Sequence, residues 1–159
     1  MRWQWLDRID EMIIAEHAVG AKSFPEDTFF FRDHFPGFPV VPGVILLEAM
    51  AQLSGKLIGY TVRKQRGDWP FPILSMAEKV KFRKFVPPET EVLFEAQFIA
   101  LRDESAQMKV RTRMDGRVVA QAEQTFVFNA VALESAEESA RVERIEREAL
   151  RSLWAGCPD

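Results

Sequence analysis

The chain has almost no cysteine: a single one, Cys157, near the end of 159 residues. A lone thiol there builds no internal disulfide framework, so nothing points to an oxidising compartment. Charge of one sign is also missing. The formal net charge is -3, whereas a nucleic-acid-binding domain usually carries a clear basic excess, so that class is set aside. Long apolar runs are absent too. The longest, from Val40 to Leu47, is interrupted by Pro42 and Gly43 and is far short of the ~20 residues of a membrane span. The opening segment, "MRWQWLDRIDEM", is charged throughout and lacks the apolar centre of a secretory signal. These absences lead to the expectation of a soluble, cytoplasmic protein with no nucleic-acid partner and no membrane span. Histidine is scarce, with His17 and His34 alone. Neither stands at metal-ligand spacing from the other or from the cysteine, so no metal is expected. Tyrosine is nearly absent, one against thirteen phenylalanines. That balance suggests dry aromatic packing or an apolar ligand tunnel rather than a Tyr-rich recognition surface.

What is there suits one globular domain, with 47% apolar and 28% charged residues. Met12 to Phe24 reads as a strand, with room for a short helix before it. "PEDTFFFRDH" reads as a turn and then an extended aromatic segment. "FPGFPVVPG" is irregular, because its three prolines lack the backbone N–H. Gly43 opens a helix expected to run to about Tyr60. It is apolar almost all round, so it must be buried on nearly every side. An antiparallel sheet is the natural wrapping. "DWPFP" ends the polar loop that follows.

The period then changes to two. Leu74, Met76, Val80 and Phe82 alternate with Lys79 and Lys81. "EVLFEAQFIAL" is a further strand. Ala106, Met108, Val110, Thr112 and Met114 face one way, and Gln107, Lys109, Arg111 and Arg113 the other. Asp115-Gly116 is a strong hairpin signal, with "RVVAQAEQTFVFNAV" as the returning strand. One buried helix with an antiparallel meander is an α+β layout. Ser135 and Glu138 form a capping box opening an amphipathic helix with Val142, Ile145, Ala149 and Leu153 at helical spacing. Residues 1–132 are expected to form the main domain and 133–159 a helical extension, whose position the sequence leaves open.

The stretch "HFPGFPVVPGVILLEAMAQ" carries the chemistry. Histidine titrates near neutral pH and suits proton transfer, although a lone histidine is more often structural. His17 has only that structural reading. Glu48 is unusual, since an ionised acid on a buried helix is costly without a partner. A salt bridge or a local exposed spot would explain it, but Gln52 one turn on suggests a polar pocket. The first amides of the helix, at Gly43 and Val44, have no internal acceptor and can donate to a developing oxyanion. Glycine there also allows close approach of a carbonyl. Glu48 lies roughly 7 Å along the axis from Gly43 by the helical rise. The residues by themselves suggest acid–base chemistry beside a carbonyl.

This stretch resembles the signature of the β-hydroxyacyl-acyl-carrier-protein dehydratases of fatty-acid synthesis. The matching pattern is H-F-P-G-x-P-x-x-P-G, with an acid fourteen residues after the histidine. "EKVKFRKFVPPETEV" and "DGRVVAQAEQTFV" resemble later segments of the same family, and the likeness runs from about Leu6 to Phe128. It implies the hotdog fold, a sheet wrapped around the long helix. It implies a homodimer, or a trimer of such dimers, with His34 of one subunit facing Glu48 of the other. It also implies a (3R)-3-hydroxyacyl substrate on the phosphopantetheine arm of acyl carrier protein, and no cofactor. In that scheme His34 takes the C2 proton, Glu48 assists departure of the C3 hydroxyl, and the Gly43 amide polarises the thioester carbonyl. Val44, Phe35, Pro42 and Gln52 would help bind substrate. Glutamate rather than aspartate at position 48 resembles the branch that dehydrates without isomerising.

Lys79, Lys81, Arg83 and Lys84 form a basic cluster suited to docking an acidic carrier protein, or equally a solvated strand face. Phe35, Phe38 and the Trp69–Phe71 loop would line a tunnel or simply fill the core. Asp33 departs from the family pattern, and a carboxylate there would tend to raise the pKa of the adjacent histidine. Two other functions fit the same scaffold. One is a thioesterase acting on similar thioesters. The other is a non-catalytic subunit that binds acyl carrier protein.

Overall fold

The computed structural model describes residues 3–130 and 133–158. Its elements, in order, are β1 (Arg8–Ile13), β2 (His17–Ser23), α1 (Gly43–Arg66), β3 (Pro72–Phe82), β4 (Glu91–Leu101), β5 (Ser105–Met114), β6 (Arg117–Phe128) and α2 (Ala136–Leu153). The strands form one antiparallel sheet in the order β1-β2-β4-β5-β6-β3. α1 lies against it and touches every strand. This is the hotdog arrangement that the resemblance implies.

Period-two patterning sets the sheet's inner face. On β5, Ala106, Met108, Val110 and Thr112 are all buried, while Lys109 between them is exposed. Asp115 (φ 51°) and Gly116 (φ 76°) are both left-handed, as the two central residues of a type I′ hairpin must be. α1 meets this face with Leu46, Met50, Leu53, Leu57 and Ile58, all essentially inaccessible. Each such side chain contributes about 1.5–3 kcal/mol by leaving water.

Several expectations give way to tertiary contacts. α1 continues past Tyr60 to Arg66, because Thr61 and Val62 extend the buried face. The basic residues Arg63, Lys64 and Arg66 suit a helix C-terminus, and Gly67 (φ 94°) ends the helix by donating its N–H to Arg63 O. The strand expected over Met12–Phe24 is two strands, β1 and β2, joined by a turn with Ala15 at φ 62°. Residues 3–7 are not helical. The aromatic segment is not extended but coiled through turns, with Phe31 N donating to Thr28 O and His34 N to Phe30 O. A strand would send Phe30 and Phe31 to opposite faces. The turn lets both enter one cluster with Trp5 and Phe24.

β3 is an edge strand whose alternation is broken by register shifts at Leu74/Met76 and Glu78/Lys81. Met76, Val80 and Phe82 are consequently exposed rather than lining the core.

α2 lies on its own chain. Glu138 N donates to Ser135 Oγ at 3.1 Å, and the Glu138 carboxylate accepts from Glu134 N, completing a variant of the capping box. Lys56 pairs with Glu146 at 2.6 Å and Arg63 with Glu143 at 2.7 Å. Leu150 and Leu153 are buried, and Trp154 meets Tyr60 edge-on at 5.5 Å. The boundary expected at 132/133 falls partly outside the described residues.

One close approach holds the loop after α1 in place. A Cβ built on Gly59 would stand 2.1 Å from the Trp69 ring, and Trp69 is itself buried. Gly59→Ala must therefore displace the indole. It is expected to destabilise the fold by about 1–3 kcal/mol, the usual cost of overpacking, as read by denaturant unfolding.

Candidate active site

The stiff loop between β2 and α1 presents His34. His34 O accepts from Val40 N at 3.0 Å, and Phe35 and Phe38 exchange two backbone hydrogen bonds. Gly37, at φ 77°, makes the turn between them possible. Val41 N donates to Val86 O at 2.8 Å and ties the loop to the segment between β3 and β4. The half-buried imidazole stacks on Phe35 at 4.2 Å, and its Nδ1 lies 3.1 Å from Val40 O. A carbonyl only accepts, so Nδ1 carries the proton. In the neutral ring this leaves Nε2 with a free lone pair. Asp33 is exposed and makes neither a hydrogen bond nor an ion pair with the ring.

Glu48 stands one turn into α1 and is half-buried rather than sealed in the core. Its Oε1 accepts from Trp3 Nε1 at 3.0 Å and from Gln52 Nε2 at 3.1 Å. Among the described residues Oε2 has no hydrogen-bond partner. Gln52 is held in turn, its Oε1 accepting from Trp5 N at 2.8 Å. From the sheet side, the buried Gln124 donates from Nε2 to Leu47 O at 3.0 Å, one residue before the acid. Thus the N-terminal segment, α1 and β6 together set the position of this carboxylate.

Glu48 lines a mostly apolar cavity of about 620 Å³, with Gln52 and Lys56 of α1, Trp69, Phe71, Leu74 and Phe126, and one face of α2. Of the residues expected at the site, Gln52 joins Glu48 there, and Trp69 and Phe71 contribute walls. His34 does not line this cavity within the single chain. Phe35, Phe38 and Val44 are exposed. Pro42 is the N-cap residue of α1, and Gly43 sits under the Phe82 ring, where a Cβ would come within 2.9 Å of it. Lys79, Lys81, Arg83 and Lys84 are all exposed at the far end of β3 and just beyond it. Lys79 is 3.5 Å from Glu123, and Arg83 donates to Gln121. His17 meets Glu11 on the β1–β2 hairpin at 3.2 Å, away from the cavity. Trp3, Gln124 and the α2 wall were not foreseen. The only sequence trace of Trp3 is the amphipathic "WQW" doublet near the N-terminus.

The sheet and helix define the hotdog class. Among solved structures of this shape, the dehydratase heterocomplex ApeI:P from Xenorhabdus doucetiae superposes with a TM-score of 0.64 at 12% identity, over 86% of this chain and 87% of that one. A hypothetical thioesterase with coenzyme A from Streptococcus pneumoniae gives 0.59 at 14% identity, over 77% and 87%. At such identities the likeness is one of fold. Sequence goes further. Residues 2–123 match the FabA-like domain. Over 123 residues the chain is 35% identical to the 3-hydroxyacyl-[acyl-carrier-protein] dehydratase FabZ of Caldicellulosiruptor saccharolyticus, covering 77% of this chain and 86% of that protein. It is 32% identical over 117 residues to the FabZ of Hydrogenobaculum sp., covering 74% and 78%. The chain belongs to the FabA-like dehydratase family.

Gln52 anchors the arrangement around Glu48. Gln52→Leu removes a donor to the carboxylate and leaves the partly buried Trp5 N–H without its acceptor. The expected loss of stability is about 1–3 kcal/mol in denaturant unfolding. Trp3→Phe removes only a bond made by an exposed indole, and a smaller loss of about 1 kcal/mol or less is expected.

Proposed function

We propose that the chain removes water from a (3R)-3-hydroxyacyl thioester carried on acyl carrier protein, giving the trans-2-enoyl thioester. The observation that carries this reading is the placement of His34, whose Nδ1 lies 3.1 Å from Val40 O and donates to it, leaving Nε2 to face a substrate. It sits in a chain about a third identical to FabZ dehydratases. Nε2 takes the proton from C2, and the electron pair of that bond forms the C2–C3 double bond. The C3–O bond breaks, and the departing hydroxyl leaves as water with a proton from Glu48, which acts here as the carboxylic acid, directly or through a water; the proton gained by His34 then returns to Glu48 through solvent and resets the pair. The Gly43 amide, at the positive end of α1, stabilises charge that builds on the thioester oxygen. The elimination is redox-neutral and balances in protons, so it calls for no cofactor.

Because His34 and the Glu48 cavity are separate in one chain, a second copy is needed to bring them together. The exposed apolar residues Met76, Val80 and Phe82 on the β3 edge, with Val44 beside them at the start of α1, suit such an interface. Docking of the acidic carrier protein falls to Lys79, Lys81, Arg83 and Lys84. Residues 1–132 form the catalytic unit and 133–159 an extension of it. No described helix is long and apolar enough to cross a membrane, in keeping with work on carrier-bound chains in the cytoplasm.

Loss of a general base or acid typically costs 10²–10⁴ in rate, so His34→Ala and Glu48→Gln are each expected to lower kcat by about that factor. Formation of the enoyl product, followed by its absorbance, measures this. Release of free thiol without enoyl absorbance would identify a thioesterase instead. Mixing the two inactive variants tests the shared site. If each site takes His34 from one copy and Glu48 from the other, random exchange of subunits restores about a quarter of the wild-type rate. No recovery would place both residues in one chain's site.

A further inference from the structure

The family match ends at residue 123, yet one wall of the Glu48 cavity is built beyond it. Val142, Ile145, Glu146, Ala149 and Leu153 of α2 all line the cavity, and their three- and four-residue spacing puts them on one helix face. α2 is fastened to α1 by the Lys56–Glu146 and Arg63–Glu143 pairs and by the buried Leu150 and Leu153. It is therefore a fixed wall. That wall is apolar except at Glu146, and Glu146 meets Lys56.

On α1 the cavity lining begins at Glu48 and ends at Lys56. Eight residues of helix separate them by roughly 12 Å along the axis. Glu48, Gln52 and Lys56 follow one another at four-residue spacing, so they share a face. A chain whose C3 stands at Glu48 and which runs along this face first passes apolar walls. It then reaches an ion pair whose lysine is largely covered and whose glutamate is half-exposed. An alkyl terminus pressed against that pair would strip water from both ions and offer no hydrogen bond in return.

We propose that α2 closes the acyl chamber as its distal wall, and that the Lys56–Glu146 pair limits the chamber to short and medium 3-hydroxyacyl chains. This rests on the dehydratase reading above. The test compares wild type with two variants. Lys56→Met with Glu146→Leu removes both charges together, so no unpaired ion is left behind. Ala149→Phe narrows the chamber and leaves the pair in place. Each protein is assayed for kcat/KM on carrier-bound 3-hydroxybutyryl, 3-hydroxydecanoyl and 3-hydroxypalmitoyl chains. Each is also assayed for binding of the corresponding saturated acyl-pantetheine thioesters by calorimetry.

Wild type is expected to disfavour the palmitoyl chain. The double variant should raise palmitoyl relative to butyryl about tenfold, and Ala149→Phe should lower decanoyl relative to butyryl about tenfold, the scale on which apolar pockets discriminate. A wild-type preference for palmitoyl, or a length order that neither variant shifts, overturns the proposal. Binding with the expected length order but without turnover leaves the chamber standing and defeats the dehydratase reading. Turnover with an unshifted order does the reverse.

Discussion

Burial of α1 against one face of the sheet is the constraint from which the site follows. Leu46, Met50, Leu53, Leu57 and Ile58 commit one side of the helix to the core. That commitment sets the rotation of the helix. The Glu48–Gln52–Lys56 stripe is thereby turned toward the N-terminal segment, the Trp69 loop and α2. Those three coverings are close but not sealed, and the space between them is the cavity. Gly59 belongs to the same constraint, because the Trp69 ring lies where a side chain would otherwise stand.

The loop before α1 answers a different requirement. An imidazole in the role proposed for His34 must have the right tautomer and hold still. The loop meets this with backbone alone, His34 O and Nδ1 being engaged by the N–H of Val40 and its carbonyl. The ordering cost falls on a proline-rich segment with little freedom to lose. The acid is held otherwise, by side chains from three parts of the chain. The placement of His34 is thus a local construction and that of Glu48 a tertiary one. This is why Glu48 appeared from sequence as a costly charge in a buried helix, while the structure shows a half-buried carboxylate with two donors.

Local rules were legible where the signal is short-range. The type I′ turn at Asp115-Gly116, the alternation on β5, the Ser135 cap and the start of α1 at Gly43 all depend on neighbours a few residues apart. They were misread where distant contacts decide. β3 loses its phase at two register shifts against β6, and Phe30 and Phe31 turn inward because Trp5 and Phe24 wait there. The end of α1 lay at Gly67, a left-handed stop, rather than where the apolar run thins at Tyr60.

The sequence by itself determined the fold class and the family, and it singled out His34 and Glu48. Those follow from residue types at regular or contiguous spacing. Only the tertiary structure decided what surrounds Glu48. Trp3 bonds to it across 45 positions, Gln124 bonds to the neighbouring Leu47 O across 77, and the α2 face stands beside it in the cavity wall. No periodicity in the chain encodes such separations. They are set by the packing of α1, which turns one stripe of a helix toward whatever remains to cover it.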